Sequence, residues 1–258
     1  MKNYMICFTV FISFASSAIA TISPWYWKLG AGYAWSNNTV FTDKSCSSTS
    51  PAALFGCGYS AGGSFGNSES FDIAIGYRFN PIFHGEALLN YQPNYRFSGN
   101  ANFLNAGSNQ PVSSDVSSLG LMATGYIDLA SVFGYKESKW QPFVGLGLGL
   151  SRNHTGSMTY EFPTLSQPND SATTKTSSGS SISFAYMLAA GVNWKLNSNT
   201  GLEFSYRWYD LGNVETDDGS AYIHGHGCGG ASDCTINIAG TKASLKTQSL
   251  MLSLWHTF

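Results

Sequence analysis

The sequence predicts an all-β fold, an eight-stranded antiparallel up-and-down transmembrane β-barrel with long extracellular loops and short periplasmic turns. Three observations carry this expectation. Eight segments alternate apolar and small or polar residues with a period of two, the mark of a two-faced strand. Only 11% of residues are charged, against roughly 25% in ordinary soluble domains, while aromatics reach 15%. The last segment, Ser249 to Phe258, sets Leu250, Leu252, Leu254, His256 and Phe258 on one face and Ser249, Met251, Ser253, Trp255 and Thr257 on the other. In water such an apolar edge would template aggregation. In a closed barrel it zips to the first strand, with one face in lipid and the other in the lumen.

The first segment, Trp25–Trp35, points Trp25, Trp27, Leu29, Ala31, Tyr33 and Trp35 one way and Tyr26, Lys28, Gly30, Gly32 and Ala34 the other. The second, Ser70–Phe79, sets Phe71, Ile73, Ile75, Tyr77 and Phe79 against Asp72, Ala74, Gly76 and Arg78, and Asn80-Pro81 makes a tight turn. The third, Phe83–Phe97, gathers His84, Glu86, Asn90, Gln92, Asn94 and Arg96 on one face. The fourth, about Ser118–Leu129, sets Leu119, Leu121, Ala123, Ile127 and Leu129 against Met122, Thr124, Tyr126 and Asp128. The fifth, Gln141–Ser151, is the plainest, with Val144, Leu146, Leu148 and Leu150 outward and Gly145, Gly147 and Gly149 inward. The sixth is Ser183–Leu196, followed by the turn at Asn197–Thr200. The seventh, Leu202–Leu211, places Leu202, Phe204, Tyr206 and Trp208 outward and Glu203, Ser205, Arg207 and Tyr209 inward. The eighth runs from about Leu245 to Phe258.

Connection lengths alternate. The long ones, Ser36–Glu69, Ser98–Ser117, Arg152–Ser181 and Gly212–Ala243, are rich in Ser, Asn, Gly and Thr, and part of the first or fourth can extend strands above the membrane. The other three are short, the stretch Ser131–Lys139 being the longest. That asymmetry is the pattern of a barrel in an outer membrane. Trp25, Trp27, Trp35, Tyr77, Phe79, Phe83, Trp140, Trp194, Trp208 and Trp255 fall near strand ends, as two interfacial girdles require.

Residues 1–20 read as a secretory signal peptide: Lys2, an apolar run over Tyr4–Phe14, and Ala18-Ile19-Ala20 as the cleavage signal, so that the mature chain starts at Thr21. The run is too short to span as a helix, and no later segment approaches 18 consecutive apolar residues. Residues 21–258 are then expected to form one barrel domain. Apart from Cys7, the cysteines are Cys46, Cys57, Cys228 and Cys234, an even number in an exported chain. Of three connectivities, Cys46–Cys57 with Cys228–Cys234 keeps each bridge inside one loop; a cross-loop pairing is the alternative. The net charge of −2 carries no basic excess, which excludes a nucleic-acid partner.

Nine charges, Lys28, Asp72, Arg78, Glu86, Arg96, Asp128, Lys195, Glu203 and Arg207, are expected on the face opposite the large apolars. A water-soluble barrel of the lipocalin type would be apolar inside and polar outside, the reverse of this arrangement. Placed in hydrocarbon, each charge would cost roughly 2–4 kcal/mol at the bilayer midplane. In a narrow lumen they can pair.

Gln141-Pro-Phe-Val-Gly-Leu-Gly-Leu-Gly149, Ala189-Ala-Gly-Val-Asn-Trp-Lys195, Leu202-Glu-Phe-Ser-Tyr-Arg-Trp-Tyr-Asp-Leu-Gly212 and the final Phe258 together resemble the small outer-membrane β-barrel proteins of Gram-negative bacteria, the OmpA/OmpX-like and opacity-type surface antigens. Pro-Phe-Val-Gly stands where Pro-Tyr-Val-Gly is usual, and no peptidoglycan-binding domain is expected after the barrel. The resemblance implies a barrel in the cell outer membrane, surrounded by lipid and lipopolysaccharide. It also implies that Phe258 belongs to the signal read by the barrel-assembly machinery.

Eight strands enclose a lumen just wide enough for side chains to fill it, so the inner charges are expected to form a structural polar plug. In a porin-like channel, the second reading, Arg207, Glu203 and Glu86 would set ion preference. His224-Gly-His226-Gly-Cys228 offers donors for a transition metal or haem, but the loop is Gly-rich and Cys228 is expected to pair. His154 with Ser157, and His256, are the candidates for a lipid-modifying hydrolase, the third reading, but neither lies beside an evident serine and carboxylate on one face. The expected role is therefore structural or adhesive, through loops that meet a host or environmental ligand, with no catalytic residues, cofactor or metal and as a monomer.

Overall fold

The computed structural model describes residues 23–103, 107–135, 138–168, 170–229 and 231–258; the expected signal peptide and Thr21 lie outside them. The elements in chain order are β1 (Trp25–Ser36), β2 (Asn38–Asp43), β3 (Ala61–Ser64), β4 (Asn67–Arg78), β5 (Phe83–Phe103), β6 (Gly107–Asp128), the one-turn helix α1 (Leu129–Val132), β7 (Trp140–Thr155), β8 (Thr159–Glu161), β9 (Thr173–Lys175), β10 (Gly179–Lys195), β11 (Thr200–Glu215), β12 (Gly219–Cys228), β13 (Ala231–Ile238) and β14 (Thr241–Thr257).

Eight of these strands close a ring, each antiparallel to its neighbours, in the order β1-β4-β5-β6-β7-β10-β11-β14 and back to β1. The closing pair runs from Tyr26 opposite Thr257 to Ser36 opposite Thr247. The eight strands correspond to the eight alternating segments. Exposure follows the alternation: Leu29, Ile73, Leu121, Leu148, Phe184 and Leu252 face outward, and Lys28, Asp72, Thr124, Asn193, Glu203 and Ser253 face inward.

The remaining six strands are short and belong to the loop end: β2 with β3, β8 with β9, and β12 with β13. Ser98–Ser117, expected as a loop, is instead mostly strand. β5 and β6 stay paired from Phe83 opposite Ile127 out to Phe103 opposite Gly107. Their 21 and 22 residues reach well beyond the ~25 Å apolar band of such a wall. Alternation is weak there because both faces of the hairpin meet protein or water and not lipid.

A register shift between Gln92 and Tyr95 adds an unmatched step to β5. It inverts the faces of everything beyond it. Tyr95 and Phe97 are buried and Arg96 and Asn94 are exposed, so neither Arg96 nor Asn94 reaches the lumen as expected. Pro93 sits at the shift, where a ladder N–H is not needed.

Two aromatic belts ring the wall. Near the short turns, Trp25 packs edge-on against Tyr77 and Tyr77 against Phe79, while Trp140 stacks on Trp194. Near the loops, Trp35 meets Tyr206 and Tyr186 meets Trp208. Trp255 departs from the expected girdle. It faces inward and is buried, because it shares the face of Ser249, Met251 and Ser253. Inward glycines admit inward rings: a Cβ at Gly76 would overlap the Tyr26 ring, and one at Gly145 the Tyr126 ring. The glycine alternation of β7 therefore leaves space for an aromatic of the next strand.

Candidate functional site

The lumen is crossed at mid-height by an ion-pair network. Lys28 Nζ of β1 lies 2.7 Å from Glu86 Oε1 of β5 and 3.1 Å from Glu203 Oε2 of β11. Arg207 Nη2 reaches Glu203 Oε1 at 3.1 Å, and Arg207 Nη1 pairs with Asp72 of β4. All five side chains are at most 4% exposed. Neutral donors extend the set. Tyr26 donates to Glu86 at 2.9 Å, Asn90 to Asp72 at 2.7 Å, Gln92 to Asn90 at 2.8 Å and Tyr95 to Gln92 at 2.7 Å. Lys28 and Arg207 make chords between strands that are not neighbours in the ring, so the cross-section is filled and not merely lined.

The other four expected network members lie elsewhere. Arg96 is outside, as described. Asp128 caps α1, its carboxylate accepting from the Ser131 N–H at 3.1 Å. Arg78 and Lys195 sit at the short-turn mouth of the barrel, around a cavity of about 370 Å³. There the Arg78 guanidinium lies 5.3 Å from the Tyr26 ring and 5.2 Å from the Trp255 ring.

Toward the loops, a layer of buried polar side chains that includes Ser118, Ser151, Asn153 and Thr247 gives way to an apolar cluster. Phe41, Phe55, Phe65, Phe97, Tyr160 and Phe162 are each at most 5% exposed and form one cluster with Val112, Met158, Leu211 and Leu245. Phe41 packs on Phe97 at 4.8 Å and Phe55 on Tyr160 at 5.8 Å between ring centroids. The long loops thus fold into a head whose core continues into the barrel. Cys46 is bonded to Cys57 and Cys228 to Cys234. The first of these loops is organised by Asp43, whose carboxylate accepts from the N–H groups of Leu54, Phe55 and Gly56 at 2.8–3.0 Å. Sequence reasoning missed Asp43; an acidic residue just before a Cys-flanked loop was the available signal.

The histidine cluster is committed to internal contacts. His224 is clasped between two aspartates, Nε2 at 2.6 Å from Asp170 and Nδ1 at 2.5 Å from Asp233. These bonds, first that to Asp170, raise its pKa, and the bond from His224 lowers that of Asp233. His226 packs 4.2 Å from the Phe162 ring, with Nε2 3.1 Å from Thr174 Oγ1, and its pKa is lowered by burial. Cys228 is in its disulfide. Among the described residues no cluster of three or more His, Cys, Asp or Glu side chains has metal-binding geometry.

His154 pairs with Ser180 and not with Ser157, whose hydroxyl donates to the Thr176 carbonyl; His256 pairs with Thr200. Among the described residues no carboxylate hydrogen-bonds to either histidine, so neither forms a triad of the serine-hydrolase type. The exposed Phe258 donates its N–H to the Trp25 carbonyl at 3.2 Å.

Residues 6–227 match the family model described as the outer membrane protein beta-barrel domain. The chain belongs to that family, and it is a protein of the bacterial outer membrane. No curated protein is detectably similar to it in sequence. Among solved structures, it is similar to outer membrane protease OmpT of Escherichia coli, 10% identical over 94% of this chain and 100% of that one with a TM-score of 0.52. It is also similar to Neisserial surface protein A (16%, 92% and 98%, TM-score 0.43) and to OprG of Pseudomonas aeruginosa (13%, 90% and 95%, TM-score 0.47). At these identities the likeness concerns the fold alone.

Proposed function

We propose that this protein works at the cell surface through its head, in a structural or adhesive role, while the barrel serves as anchor. The observation that carries this reading is the filling of the bore: an ion-pair network at mid-height, then an aromatic cluster above it. We read this filling as closing the bore to solutes, which speaks against the narrow-channel reading. The wall is proposed to sit as a monomer in outer-membrane lipid and lipopolysaccharide after delivery by the barrel-assembly machinery.

The contact surface is proposed to be the β12–β13 hairpin. Tyr222 and Ile236 are exposed on it. β13 ends the hydrogen-bonded strand order; Ala52 bonds to one end of its outer edge, at Asn237 and Ala239, and the remainder of that edge offers backbone groups to an added strand. Replacing residues 221–236 by a short turn should leave a heat-modifiable barrel and abolish adherence of displaying cells to host epithelium or extracellular matrix. Unchanged adherence would refute the hairpin as contact surface; adherence absent from the intact protein as well would refute the adhesive role.

A further inference from the structure

The short-turn mouth holds a second built site, at the end opposite the head. Its cavity of about 370 Å³ is lined by Arg78 from β4, Lys195 from β10, Gln141 from β7 and Trp255 from β14. Four strands from around the ring therefore converge on it. Among the described residues neither Arg78 nor Lys195 has an ion-pair partner within 4 Å, whereas the four cations Lys28, Lys44, Arg207 and Lys246 each do. Asp128 is in electrostatic range of Lys195, but its carboxylate is engaged at the cap of α1. The Arg78 guanidinium lies 5.3 Å from the Tyr26 ring and 5.2 Å from the Trp255 ring, and among the described residues its N–H donors take no side-chain hydrogen-bond partner.

Two buried side chains at the cavity carry polar atoms without partners. Trp255, 3% exposed, has an unpaired indole Nε1–H, and Gln141, 4% exposed, has an unpaired Oε1. A buried donor left unpaired is destabilising, and native folds rarely leave one without a reason. Two cations at the cavity and a buried, unpaired indole N–H beside it offer donors for a single oxyanion.

We propose that this mouth binds a compact oxyanion, a carboxylate or a phosphate group, presented from the periplasmic side. Arg78 would engage it through the guanidinium edge, Lys195 would neutralise it, and Trp255 would donate the third hydrogen bond. Gln141 would accept from a protonated or hydroxyl group of the same ligand. A carboxylate could be offered by a cell-wall peptide and a phosphate by a free or lipid-borne ester; the two sources share this chemistry.

The test is a titration of the ¹⁵N-labelled protein, refolded in zwitterionic micelles, reading the indole N–H resonance of Trp255 assigned by Trp255→Phe. Acetate and inorganic phosphate are added separately against chloride at constant ionic strength. The expected result is a saturable shift of the Trp255 resonance with acetate, phosphate or both, and the preferred anion identifies the source. Arg78→Gln and Lys195→Gln, each checked for heat-modifiability, should each weaken binding about tenfold. No shift beyond that given by chloride would overturn the site. So would a shift that persists unchanged in both variants.

Discussion

Arg207 of β11 pairs with Asp72 of β4 across the lumen, 135 residues away in the chain. Two strands of the ring, β14 and β1, lie between them. The pair therefore ties opposite arcs of the wall, with Glu203 and Lys28 completing a relay of charges from β11 through β1 to Glu86 of β5. Both side chains are fully buried.

Removing one member of that relay leaves a buried carboxylate without its cation. Arg207→Ala should destabilise the folded barrel by about 3–5 kcal/mol, whereas Arg207→Met combined with Asp72→Leu should recover much of the loss. Urea titration in micelles, followed by heat-modifiability, measures both. A single substitution as mild as the double would contradict the pairing.

Glycines of the wall should divide by what lies over them. Gly145→Val would drive its side chain into the Tyr126 ring and should cost about 1–3 kcal/mol through overpacking. Gly125 faces open space outside the barrel, so Gly125→Ala should stay within about 0.5 kcal/mol of the parent. The same urea titration ranks them, and equal effects would contradict the ring-over-glycine packing.

The His224 clasp makes the contact between the third and fourth loops depend on pH. A raised histidine pKa gives stability that is complete below the unfolded value of 6.5 and is lost as pH rises through the folded value. The lowered pKa of Asp233 gives stability present above 3.8 and lost as pH falls through its folded value. The clasp should therefore be intact between these limits and loosen in alkali. Cleavage of the loops by protease, taken as the ratio of His224→Gln to the parent, should be well above one at pH 5.5 and approach one at pH 9. A ratio independent of pH would count against the clasp.

The Cys46–Cys57 bridge closes a loop with a sequence separation of 11, outside the wall. Replacing both cysteines by serine should release about 3 kcal/mol of loop constraint and speed proteolysis near Asp43. The gel shift of the barrel on boiling should not change. Loss of that shift would mean that the head is needed for the wall to form.

The wall was legible in the sequence because one face meets hydrocarbon and the other a narrow lumen. That contrast writes itself as strict alternation in residues such as Val144 to Leu150. The inner ion pairs of Lys28, Asp72, Glu86, Glu203 and Arg207 followed from parity alone. Arg96 did not, because the register shift at Gln92–Tyr95 reverses parity without a change in composition. Trp255 misled as an aromatic near a strand end; its parity with Ser253 was the better guide. The head was the least legible part. Its core joins Phe41 and Phe162 from two loops to Phe97 of β5, and such distant contacts leave no period to read. The bond from His224 to Asp170 belongs to the same long-range order, whereas each disulfide is a local bridge whose cysteines announced themselves by type.

The most direct test of the central claim, a barrel sealed by charge and aromatic packing that acts from its outer surface, is ion conductance of the refolded protein in planar bilayers. The account predicts a flat baseline without discrete openings under applied voltage. Stable unitary openings whose cation preference changes with Glu86→Gln would contradict it and establish the lumen as a pore.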